Sequence, residues 1–177
     1  MFSNTWEWIR IFGFLAYFYF TIAVIFGLLR KSSYVKSNKN LIYQIHQSAG
    51  WMGLLILFAH MLLLIIDHYE PYTIFEIILP FTSGYKPLLS SLGTIAFYLF
   101  FVVMITSDLL LPKMKRNVWK KTHFLVLPAW ILSLAHGLFI GTDTGNIFVM
   151  LFYGVTANIT VFLLILRITG QKKAVLQ

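Results

Sequence analysis

Apolar positions along this chain gather into five long blocks, and the short stretches between them hold most of the charge. The blocks are roughly Trp8–Leu29, Tyr43–Ile66, Leu88–Leu111, His123–Ile140 and Ile147–Ile168. A helix needs about 20 residues to cross a hydrocarbon core. The fourth block falls short of that and contains Pro128, but continuing it backwards through Trp119 makes it long enough. The pattern predicts an all-α integral membrane protein, a bundle of five or at most six transmembrane helices. No internal repeat or linker is evident, so residues 1–177 are expected to form one domain with a core over about 41–168. The run "TIFEIILPF" between the second and third blocks is too short to span. It is expected to lie in the interface or fold back as a cap.

Composition sharpens this picture. Hydrophobic residues make up 59% of the chain and charged ones 11%, outside the range of an ordinary soluble domain. The formal net charge of +8 does not imply nucleic acid, because the basic residues fall in loops and form no single polar face. Arg30, Lys31, Lys36 and Lys39, then Lys113, Lys115, Arg116, Lys120 and Lys121, then Arg167, Lys172 and Lys173 share one side, leaving Arg10 and Lys86 opposite. The positive-inside rule then predicts an external amino terminus and a cytoplasmic carboxyl terminus in a multi-pass protein of the plasma membrane. The first block is too long for the apolar core of a cleavable signal and is expected to be retained. With no cysteine, disulfides, iron–sulfur clusters and thiolate metal sites are excluded.

Four histidines carry the candidate chemistry. The second block holds His46 and His60 and the fourth holds His123 and His136; a helix intervenes, so the two blocks run parallel. His60 precedes Asp67 by seven residues and His136 precedes Asp143 by seven, which puts that pair level. Spacings of fourteen and thirteen put the other pair level to within one residue, roughly 20 Å away. A haem iron takes two axial imidazoles from opposite faces of a flat macrocycle, and with both positions filled its task is to pass single electrons. Two such haems along the membrane normal would carry electrons across the bilayer. Fourteen residues return a helix to within about 40° of its starting face but thirteen leave it about 140° off, so a distortion is expected near Pro128. A lone intramembrane histidine is most often a packed polar residue; four at matched depths favour function.

The arrangement His46, Trp51, His60, followed by Trp119, His123 and His136, resembles the ferric reductase-like transmembrane domain over roughly Leu41 to Gly141. That family includes the NADPH oxidases, the ferric reductases and the membrane haem subunit of the bacterial periplasmic methionine sulfoxide reductase. The resemblance implies two b-type haems per chain, the cytoplasmic-side iron held by His46 and His123 and the outer iron by His60 and His136. Trp119 matches the family's tendency to place a tryptophan four residues before the first histidine of the later helix. Attachment through CxxCH is impossible without cysteine. The chain ends nine residues after Ile168 and holds no GxGxxG. A cytoplasmic flavin (FMN or FAD) or flavoprotein is therefore expected as a separate donor. The acceptor is expected outside: ferric iron, a partner reductase or a surface flavoprotein. The chain would thus be the haem-binding electron-transfer subunit of an oxidoreductase. The competing class is a non-redox transporter or assembly protein whose histidines serve packing or proton relay.

Gly50 and Gly137 are placed to admit a macrocycle edge. Trp51, Phe58 and Trp130 lie between the two levels. Lys39, Arg116, Lys120 and Lys121 are the cytoplasmic choices for haem propionates, with Lys86 and Arg10 outside. Asp67, His68 and Glu70 form an outer cluster able to meet ferric ion or an acceptor, and Asp108 is expected to pair with a lysine or assist proton uptake.

Overall fold

A computed structural model describes residues 5–30 and 38–175, with side chains up to residue 169. Lys31 and Lys36, and the side chains of Lys172 and Lys173, lie outside the described residues. The helices are α1 (Thr5–Leu29), α2 (Lys39–Ile65), α3 (Ile74–Ile78), α4 (Pro87–Met104), α5 (Arg116–Phe124), α6 (Val126–Ile140) and α7 (Ile147–Val175). Five stretches are long and apolar enough to cross a membrane, with α5 and α6 together forming the fourth. The chain is an all-α, multi-pass membrane protein, and among the described residues there is no strand.

The bundle is built from two hairpins. Helix α1 packs along α2, and α4 packs along α6; α1 also meets α6 and α7. One end of the bundle carries Lys39, Lys113 and Arg116; the other carries Arg10 and Asp143 and is called here the Arg10 end. Large apolar side chains such as Leu62, Phe139, Phe148 and Phe162 stay mostly exposed. That inversion of the soluble rule fits a lipid environment, where helices are held by close packing and not by expulsion of water. The buried centre is aromatic: Phe20 of α1 and Phe100 of α4 stack face to face, centroids 3.7 Å apart, beside buried Tyr17 and Trp130.

The distortion expected near Pro128 lies at Leu125, where α5 gives way to α6. Pro128 has no N–H for the Phe124 carbonyl, and at the junction the Leu125 N–H bonds the Thr122 carbonyl, three residues back (3.0 Å). A second irregularity follows α4, where Ile105–Leu109 form a π-helical turn. The run "TIFEIILPF" folds back as a cap. Thr73 and Glu76 form a capping box at the start of α3. The Tyr98 hydroxyl donates to the Ile78 carbonyl (2.5 Å) and Thr94 to that of Ile77 (3.2 Å), so α3 is tied to the flank of α4.

Candidate functional site

The four histidines meet in the space between the two hairpins. The rings of His46 and His123 face each other with centroids 6.1 Å apart and planes at 71°. A metal–imidazole bond is about 2 Å and a ring nitrogen sits roughly 1.1 Å from its centroid, so two axial imidazoles on one metal have centroids roughly 6 Å apart. At the other level His60 and His136 share the wall of a cavity of about 510 Å³ that opens towards Arg10. That volume lies within the range of about 300–1,000 Å³ common for cofactor sites.

Each ring is held by its Nδ1. His46 bonds the Ala23 carbonyl (2.7 Å), His60 that of Ile9 (2.9 Å) and His136 that of Leu89 (2.8 Å). A carbonyl only accepts, so Nδ1 carries the proton in these three rings and Nε2 keeps a free lone pair. An outer hydrogen bond of this kind fixes the tautomer and ring direction of a metal-bound histidine.

The carbonyls are accessible for a specific reason. In an α-helix each side chain leans towards the amino end, so the residue at i+4 covers the carbonyl of i. At each of the three acceptors that residue is glycine: Gly13 after Ile9, Gly27 after Ala23, Gly93 after Leu89. A Cβ would stand 3.1 Å from the His60 ring at Gly13, 3.0 Å from His46 at Gly27 and 2.7 Å from His136 at Gly93. These glycines, missed by sequence reasoning, share a detectable signal. Gly13, Phe20 and Gly27 recur as Gly93, Phe100 and Ser107 exactly eighty residues on, with seven-residue steps in both helices. The first helices of the two hairpins thus share a three-position pattern, and beyond it sequence identity between the hairpins is sparse.

The space at Gly50 is filled by the Met104 thioether, and that at Gly137 by the Tyr153 hydroxyl. Trp119 stacks on His123 (5.3 Å, 29°). Trp51 donates its indole N–H to Asp108 (2.5 Å), so a partner of this acid is an indole, where a lysine or a part in proton uptake was expected. Trp130 is buried in the midplane and donates to Thr21 (2.9 Å). Phe58 is exposed at the bundle surface, against Phe97 and Phe101. The midplane is instead occupied by the Phe20–Phe100 stack, whose first ring fits against Gly53, seven residues from each histidine of α2.

Around the rims, Lys39, Arg116, Lys120 and Lys121 are exposed at the basic end, and Lys86 lies over the Tyr85 ring (5.4 Å). Arg10 reaches across the cavity mouth to Asp143 (2.6 Å) and Thr142 (3.1 Å), and its buried Nε has no hydrogen-bond partner among the described residues. Asp67 is turned inward to accept the backbone N–H groups of Tyr69 and Glu70, leaving His68 exposed. Among the described residues no group of three or more His, Cys, Asp or Glu side chains is placed to hold a metal ion. The residues at the two histidine levels fit a flat group with two axial nitrogens: imidazoles in pairs, three of them glycine-backed and held through Nδ1, and an Arg10 Nε without a hydrogen-bond partner among the described residues at the rim.

No curated protein and no solved structure matches the chain. A family model does, from residue 12 to residue 134, a stretch that contains His46, His60, His123 and the glycines at 13, 27 and 93, and ends two residues before His136. Two helical hairpins enclosing paired imidazoles, together with that match, establish that the chain belongs to the family of ferric reductase-like transmembrane components.

Proposed function

We propose that this chain moves single electrons across the plasma membrane by holding two b-type haems, one between His46 and His123 and one between His60 and His136. Each haem would supply one-electron exchange between ferric and ferrous iron. The observation that carries this reading is the set of imidazoles at two levels, three of them with Nδ1 committed to a carbonyl, which leaves Nε2 as the nitrogen with a lone pair. Arg10 is suited to a propionate at its end, because its Nε lacks a partner. Exposed Lys39, Arg116, Lys120 and Lys121 would meet propionates at the other. Between the levels, Phe20 and Phe100 exclude water and fill the gap with ring carbons.

Orientation follows from charge. The basic end would face the cytoplasm, where its cations would receive a reduced flavin or flavoprotein. The Arg10 end would face the acceptor outside, whether ferric iron, a partner reductase or a surface flavoprotein.

Purified protein from haem-replete cells is expected to show a reducible low-spin spectrum with two haems per chain. His60→Ala and His136→Ala should each remove one haem and spare the other. A colourless preparation would overturn the reading in favour of histidines that only pack or relay protons.

A further inference from the structure

Three of the four histidines hang from a main-chain carbonyl exposed by glycine; His123 does not. Its counterpart acceptor, by the eighty-residue offset, is the Val103 carbonyl, and the position that should be glycine is Ser107. A serine Cβ there covers the carbonyl, which also accepts from the Thr106 hydroxyl (3.2 Å). His123 Nδ1 bonds the Ser107 hydroxyl instead (2.9 Å). That hydroxyl also accepts from the Trp119 indole (3.3 Å). Ser107 stands in the π-helical turn Ile105–Leu109, an insertion often found at functional positions.

We propose that Ser107 is a positioning residue for His123, and that its hydroxyl, shared with Trp119, makes the His46–His123 level electronically distinct from the His60–His136 level. The inference rests on the haem reading above. With Nε2 on a metal, Nδ1 carries the proton and must donate. Ser107 then accepts from two N–H groups, and both of its lone pairs are used. An outer acceptor raises the basicity of a ligating imidazole, and an oxygen divided between two donors does so less than one serving His123 alone. His123 is therefore a weaker electron donor to its metal than its three counterparts. Ser107 and Trp119 act on His123 in opposite senses: losing the Ser107 hydroxyl weakens His123 further, and losing the Trp119 indole N–H strengthens it.

The test is a redox titration of the visible spectrum, with haem content, for the intact chain and three variants. Ser107→Ala is expected to raise the midpoint potential of one haem, or to cut its retention by about ten- to a hundredfold, and to leave the other unchanged. Trp119→Phe, which keeps the stacked ring, is expected to lower the same potential. Ser107→Thr, which keeps the hydroxyl, should restore the wild-type value. Two unchanged potentials in Ser107→Ala with both haems retained, or shifts of the same sign in Ser107→Ala and Trp119→Phe, overturn the proposal and leave the haem reading standing. A wild-type chain that binds no haem overturns the haem reading and this proposal with it.

Discussion

The glycines that back the rings make the sharpest demand at the scale of single residues. A methyl group at Gly93 would sit 2.7 Å from the His136 ring, and one at Gly27 or Gly13 would sit 3.0 or 3.1 Å from its histidine. Gly145 has nothing within 4 Å. Gly93→Ala should therefore lose more haem than Gly27→Ala or Gly13→Ala, and Gly145→Ala should lose none, as read from the haem-to-protein ratio. Thr21 offers a second test, because it accepts the buried Trp130 indole N–H. Thr21→Val leaves that donor unsatisfied and should destabilise the bundle by about 1–3 kcal/mol, measurable as a lowered melting temperature in detergent. The histidines were legible in the sequence because imidazoles are rare in apolar runs and their spacing can be counted. Their acceptors were not, because a peptide carbonyl has no letter of its own. Gly50 drew attention through its nearness to His46, yet it opens towards Met104; sequence distance along one helix does not say which neighbour fills a gap.

Elements carry their own lessons. The spanning blocks were readable from length and apolarity, and Pro128 announced the break that appears three residues earlier, at Leu125. Nothing comparable announces the π-helical turn at Ile105–Leu109, where no proline or glycine stands. The cap helix α3 depends on Glu76, which accepts from the backbone N–H groups of Thr73 (2.8 Å) and Gly84 (2.9 Å) and from the Thr73 hydroxyl (2.8 Å). The Thr73 and Gly84 N–H groups, the largest causes, hold its carboxyl below the ordinary value of 4.5. A depressed carboxyl stabilises the folded cap fully above its unfolded value, and this contribution fades as pH falls through the lower folded value. Protection of the Gly84 amide from hydrogen exchange, taken relative to the intrinsic rate at each pH, should accordingly fall on acidification below about pH 4.5. In Glu76→Gln it should be low at neutral pH and show no such acid step.

The molecule as a whole is a pair of hairpins, with α7 against α1. The fold class was readable from five apolar blocks, but the pairing was not, because the repeat consists of three positions per helix, of which only Gly and Phe recur. The absence of cysteine permits a direct test of orientation. Asn117→Cys at the basic end should react with an impermeant maleimide only after the cytoplasmic face is opened, and Asn146→Cys should react in intact cells. The reverse labelling would invert the assignment of donor and acceptor sides.

Both rings of α2 hang from one rod. Ile9 with Gly13 and Ala23 with Gly27 belong to the same uninterrupted α1, so the register of this single helix fixes two sites at once. Adding one alanine after Phe20 would swing either half of α1 by about 100° against the other. No rigid placement of α1 could then support both imidazoles, and an indel far from any ligand would silence one level while sparing its twin.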